Sequence, residues 1–171
     1  MTLGQFTAPG LLIPQLSSAD QASAINELSQ RLQQAGRIED SLAFFQAVLE
    51  CDYLSSSATE EGMAFLHARI RGIERLCFAM GVSRAKVRWR DGSRVHAVIL
   101  IAVPPAETQL YLALVAALAR LSRNKELMSS LVACTRPKDV LRLLNNVELT
   151  APAGVRAGRE PNANPAPHRL N

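Results

Sequence analysis

The stretch "AKVRWRDGSRVHAVILIAVPP", Ala85 to Pro105, decides how the chain folds. Its first part alternates. Ala85, Val87 and Trp89 fall on one face, and Lys86, Arg88 and Arg90 on the other, which is the period of a half-buried strand. Asp91-Gly92 then suits a tight hairpin turn. From Val95 to Val103 the sequence is nearly all apolar, as expected of a central strand covered on both faces, and Pro104-Pro105 ends it. His96, inside that run, reads as a histidine satisfied within the sheet.

Working outward, helices are expected on either side. Ile25, Leu28 and Leu32 mark one face of a helix from about Asp20 to Ala35, with Ser18 as its N-cap and Gln21 as the capping-box partner. Leu42, Phe45, Val48 and Leu49 mark a second, about Glu39 to Asp52. A polar break, "SSSATEEG", follows. Met63–Leu66 and "RLCFAMG", closed by Gly81, read as two further strands. Glu107–Leu121 is apolar nearly all round and reads as a well-buried helix. Asn124 suits the cap of a shorter helix, and Thr135 the cap of a last one with Pro137 in its first turn. The order predicts an α/β domain, a mixed sheet of about five strands flanked by helices.

Composition sets the limits. At 171 residues, 48% hydrophobic and 20% charged, the chain is long enough for one domain with a real core. Residues 1–10 are expected to be a flexible N-terminus, 11–149 the folded domain, and 150–171 a disordered Pro/Ala-rich tail. The longest apolar run is far short of the ~20 residues a membrane-spanning helix needs, so no membrane insertion and a cytoplasmic location are expected. Of the formal charge of +4, the tail supplies half through Arg156, Arg159 and Arg169 against Glu160; with 5% aromatics, nucleic acid is not expected as a partner. Cys51, Cys77 and Cys134 form no CxxC pair, so each reads as a small buried hydrophobe rather than a disulfide or zinc ligand. GxxxxGK-S/T, HExxH and GxGxxG do not occur, and neither a metal nor a cofactor is expected.

The candidate for chemistry is "EEGMAFLHARI", Glu60 to Ile70. Gly62 lets the backbone bend, Met63–Leu66 anchors a strand, and His67 falls at its C-terminal edge, where α/β sheets usually place their chemistry. An imidazole is partly neutral near pH 7, which leaves one nitrogen free to attack or accept. Arg69 supplies a cation suited to phosphate or carboxylate.

With its flanks, this stretch resembles the mannitol/fructose-type enzyme IIA domain of the bacterial phosphoenolpyruvate-dependent sugar phosphotransferase system, including the nitrogen-regulatory relatives. In "CDYLSSSATEEGMAFLHAR", Gly62, Ala64, His67, Ala68 and Arg69 fit that family's signature, and Ser56 and Ser57 stand where it has Ser-Thr. "IEDSLAFFQAVLECD", "VRWRDGSRVHAVILIAVP" and "YLALVAALARLSRNKELMSSLVACTRPKDVLRLL" are similar to its other segments, in order, over about Leu11 to Leu144.

The resemblance implies a mannitol-type IIA fold and a phosphoryl carrier. His67 would be the phosphoacceptor, charged by an HPr-like carrier protein and discharged to a IIB domain or a regulatory target. Arg69 would stabilise the phosphoryl group, with Ser56, Ser57 and Gly62 as hydrogen-bond donors. Tyr111 falls at the family's second active-site histidine, or Gln109 if the register shifts. Four further places depart from the pattern, seven residues in all: Cys51-Asp52 replaces Arg-Glu, Ala58-Thr59-Glu60 replaces Gly-Ile-Gly, Glu61 adds a carboxylate, and Leu66 replaces proline. The alternative these departures favour is a binding or regulatory protein on the same fold, with phosphotransfer weak or lost.

Overall fold

The apolar run beyond Gly92 forms a strand, Arg94–Ala102, in which Val95 and every residue from Ala97 to Ala102 is at most 1% exposed. The computed structural model describes residues 1–53 and 57–150. Among these the order is two 3-10 turns (Leu3–Phe6 and Pro9–Leu11), β1 (Leu12–Ile13), α1 (Gln21–Gln34), α2 (Ser41–Tyr53), β2 (Met63–Ala68), β3 (Cys77–Arg88), β4 (Arg94–Ala102), α3 (Thr108–Arg123), α4 (Lys125–Ala133) and α5 (Pro137–Leu144). The sheet runs β1-β3-β4-β2; β3 and β4 are antiparallel, while β1 and β2 lie parallel to their neighbours.

Alternation along β4 builds the layers. Val98, Leu100 and Ala102 pack with Ile25, Leu28 and Leu32 of α1 and Phe44 and Val48 of α2. Ala97, Ile99, Ile101 and Val103 pack with α3, α4 and α5. Each large apolar side chain so buried contributes about 1.5–3 kcal/mol, so the doubly covered strand contributes to both halves of the core. The expected α/β class and mixed sheet are observed.

Among the described residues the sheet has four strands rather than about five: two of the four strands named from the sequence merge, and β1, only two residues long and without a sequence signal, joins at the edge. "RLCFAMG" and "AKVRWR" do not form two strands. They are one strand, β3, interrupted by a large bulge between Val82 and Val87. Gly81 does not close it: Leu16 lies against Gly81, where a Cβ would come within 2.8 Å of the leucine, so glycine is there for close approach. In the bulge, Ala85 is exposed rather than inward, and Lys86 takes a left-handed φ of 64°. His96 Nδ1 sits 2.9 Å from the Ser83 carbonyl and fills the gap. The hairpin turn at Asp91-Gly92 forms as expected, with Gly92 at φ 87°.

Several helix boundaries also differ. Asp20, not Ser18, caps α1, accepting from the Ser23 N–H at 2.9 Å. Ser18 instead donates to Glu27. Gln21, freed from capping, turns inward: it is 7% exposed, its Nε2 donates to Asp52 Oδ2, and its Oε1 accepts from the Arg90 N–H. Asn124 caps α4 as expected, but Arg136, not Thr135, precedes α5. α3 buries one stripe only, and Leu112 on its other side is 52% exposed. Cys77 is buried, and burial pushes its thiol up to about 11, but Cys51 is exposed and Cys134 half-buried.

Residues 1–10 are not a loose end. Leu3 is fully buried, its N–H donates to Val147 O at 2.9 Å, and Leu149 N–H donates to Met1 O. The first residues thus close onto the chain that follows α5. The expected tail, beyond Thr150, lies outside the described residues.

Two stability measurements follow from these contacts. Gln21→Ala removes the donor from a buried carboxylate and is expected to cost about 2–3 kcal/mol, seen as a lower urea midpoint at unchanged slope; a loss below about 0.5 kcal/mol would contradict the assigned network. Lys86→Gly relieves the left-handed backbone and is expected to stabilise by up to about 1 kcal/mol, measured the same way.

Candidate functional site

β2 is one of the two edge strands, and its pairing with β4 sets His67 opposite Ile101. Alternation turns Met63, Phe65 and His67 toward α3, while Ala64, Leu66 and Ala68 face α1 and α2. The first half of β2's outer edge is covered. Thr59 N–H donates to Met63 O at 2.8 Å and Phe65 N–H to Ser57 O at 3.1 Å, with Ala58 bridged to Ala64. The end that carries His67 lies beyond that cover and opens into a cleft of about 340 Å³ between α2 and α3, whose polar lining is Cys51, Asp52, Ser57, Thr59, His67 and Tyr111.

His67 is half-buried, and neither ring nitrogen has a hydrogen-bond partner among the described residues. Burial, reinforced by the nearby Arg69 charge, holds its pKa below the usual imidazole range. The ring is therefore neutral at neutral pH, with a lone pair to offer. Its ring centroid lies 5.1 Å from that of Tyr111, tilted by 43°.

Arg69 sits just past the strand and is anchored. Its Nη1 donates to Pro104 O at 3.1 Å, with Pro105 O at 3.5 Å, and its guanidinium lies 5.4 Å from the Tyr111 ring centre. The prolines that end β4 thus also hold the cation beside His67. Tyr111, in the first turn of α3, has its pKa raised by burial and by Cys51, against Arg69, so its phenol stays protonated and able to donate.

The remaining sequence candidates separate. Ser57 lines the cleft; its hydroxyl accepts from Trp89 Nε1 at 3.2 Å and keeps its own proton to donate. Ser56 lies outside the described residues. Gly62 is not part of the cleft. It immediately precedes β2, about 16 Å along the chain direction from His67, and its N–H donates to Thr59 O at 3.1 Å. Its φ of 83° and its carbonyl, which accepts from His96 N–H at 2.7 Å, make it a turn residue. Glu60 and Glu61 are exposed on that turn and do not line the cleft, so the carboxylates the sequence set near His67 are turned away from it. Asp52 is drawn into the network with Gln21; it is 7% exposed, and its Oδ1 has no partner among the described residues. Cys51 leaves the α2 wall without the cation the resemblance led one to expect.

Sequence reasoning did not find the apolar walls Val48, Phe65 and Val115, nor the roles of Trp89 and the two proline carbonyls. Those roles are long-range hydrogen bonds, and no local period encodes them.

The fold thus places a neutral imidazole in a half-open cleft beside a pinned guanidinium. Residues 5–147 match the sequence profile of the family described as "Phosphoenolpyruvate-dependent sugar phosphotransferase system, EIIA 2", and the chain belongs to that family. It is 28% identical over 134 residues to the 2-O-alpha-mannosyl-D-glycerate-specific EIIABC component of Escherichia coli, covering 76% of this chain and 20% of that protein. The chain thus spans about a fifth of the length of the curated relatives it matches. Among solved structures, nitrogen regulatory protein IIA-Ntr of Neisseria meningitidis superposes with a TM-score of 0.71 at 19% identity, over 82% of this chain and 97% of that one. The mannitol IIA of Escherichia coli, solved in complex with phosphorylated mannitol IIB, superposes at 0.68 with 18% identity, over 80% and 95%. These two likenesses are of fold.

Because burial is the larger cause of the His67 shift, Arg69→Gln is expected to raise its pKa only part of the way to the ordinary value. An NMR titration of the ring protons checks this, and an unmoved midpoint would contradict the assigned proximity. The sign for stability follows from the same direction. His67 disfavours its charged form when folded, so its stabilising contribution is complete above pH ~6.5 and falls as pH drops toward the folded value.

Proposed function

We propose that this chain is a phosphoryl carrier, in which His67 accepts a phosphoryl group from the phosphohistidine of an HPr-like protein and passes it to a IIB domain or a regulatory target. The observation that carries the reading is the half-buried, neutral His67, with unpartnered ring nitrogens among the described residues, beside the anchored Arg69. Family membership supports the same class of role. A lone pair on a His67 ring nitrogen attacks phosphorus, and the donor's N–P bond breaks with its electron pair returning to the donor imidazole. No water is consumed. Catalysis is then positioning and charge stabilisation of the three equatorial oxygens, for which Arg69, Tyr111 and Ser57 are the available donors. The IIB step is supported by the solved complex of mannitol IIA with phosphorylated IIB. The exchange is proposed to take place in the cytoplasm; among the described residues no helix is long and apolar enough to cross a membrane.

The second reading, a regulatory protein with weakened phosphotransfer, rests on Cys51 and Tyr111, which replace an arginine and a histidine of the family pattern. Incubation with phosphoenolpyruvate, enzyme I and HPr tests both. The carrier reading expects acid-labile phosphate that His67→Ala abolishes. No incorporation with cognate partners would leave the regulatory reading. Cys51→Arg, which returns a cation to the cleft wall, is expected to raise the rate of phosphorylation about tenfold or more; an unchanged rate would remove the lost arginine as the cause of any slowness.

A further inference from the structure

Two features at the far end of the β3–β4 hairpin each disfavour the fold, and they converge on one recess. Lys86 holds a left-handed φ of 64°, a conformation that side-chain-bearing residues rarely adopt and that is found at sites where strain serves function. Arg88 and Arg94 are direct cross-strand partners, so two like charges stand opposite each other on one face. All three cations line a recess of about 340 Å³ with Ser17, Ser18 and Ser83, and no carboxylate lines it. Of the nearby acids, Glu27 accepts from the Ser18 hydroxyl and Asp91 from Ser93, while Asp20 accepts from the Ser23 N–H and, from outside the recess, is within electrostatic reach of Arg88 alone of the three cations. The Ser17 hydroxyl has no partner among the described residues.

We propose that this recess binds a small phosphate monoester, its phosphoryl oxygens meeting Lys86, Arg88 and Arg94. A dianion offsets the repulsion between the facing arginines, and its several acceptor oxygens match two guanidinium forks and an ammonium better than a single carboxylate does. The bulge supplies the geometry. By inserting extra residues between Val82 and Val87 it re-aims the Lys86 side chain, which the strained backbone then holds. The volume is that of a small-molecule site and exceeds what a bare phosphate fills. The recess lies between β3, β4 and the segment leading into α1, whereas His67 is at the opposite end of β2, so the two sites are independent.

Titrate the full chain with inorganic phosphate, and separately with glycerol 3-phosphate, at ionic strength held constant with sodium chloride. Follow the thermal midpoint and the fluorescence of Trp89, the single tryptophan, next to Arg88 in the chain. The proposal expects saturable binding of both, the monoester at least as tightly as phosphate. The double variant Arg88→Ala/Arg94→Ala should weaken it about tenfold or more. Lys86→Gly is expected to move the two readouts oppositely, raising the thermal midpoint while lowering phosphate affinity; a lysine with no ligand would change only the midpoint. His67→Ala should bind as the parent does. A response no larger than that to chloride, unchanged affinity in the hairpin variants, or loss of binding in His67→Ala would each overturn the proposal.

Discussion

Burial of β4 on both faces is the constraint from which the rest follows. A strand with apolar side chains on alternate sides is stable only between two layers. One layer comes from α1 and α2, which precede the strand, and the other from α3 to α5, which follow it. β2 is laid parallel to β4 at the edge of the sheet, so its C-terminal end meets both layers. The cleft containing His67 is where α2, α3 and the edge strand come together. The position of His67 is thus a by-product of core formation.

The cleft shows how an environment sets a histidine's chemistry. Burial and the Arg69 cation both favour the neutral ring, while the two proline carbonyls hold that cation in place. The neighbour on α3 is a phenol rather than a second imidazole. It contributes a proton donor and a ring face near Arg69, but at neutral pH it does not exchange protons as a base. Asp52, beside Cys51, has been absorbed into the scaffold through Gln21 and Arg90, so the α2 wall supports the cleft more than it reacts in it.

The β3–β4 hairpin has a different character at its two ends. Near Cys77 and Ala102 it is regular and buried; beyond Val82 it bulges, strains Lys86 and faces arginine with arginine. Local choices that disagree with the fold in this way are concentrated where function is usually found.

The sequence by itself determined the layers and the candidate histidine. A nine-residue, nearly all apolar run bounded by Asp91-Gly92 and Pro104-Pro105 reads as a covered strand, and His67 follows the strand-forming run Met63–Leu66. Period and punctuation are local, so they are legible. Tertiary structure decided what depends on contacts between distant residues. It merged two expected strands into β3, because the bulge is filled by His96 from the neighbouring strand. It ordered residues 1–10 by burying Leu3 beneath the chain that follows α5. It took Gly62, Glu60 and Glu61 out of the cleft, since a turn pairs the 57–59 segment back along β2. It brought Tyr111 and Arg69 against His67 through helix packing and two proline carbonyls. Side-chain partners many residues apart leave no periodic trace in a sequence, and for that reason the position of the histidine was readable while its surroundings were not.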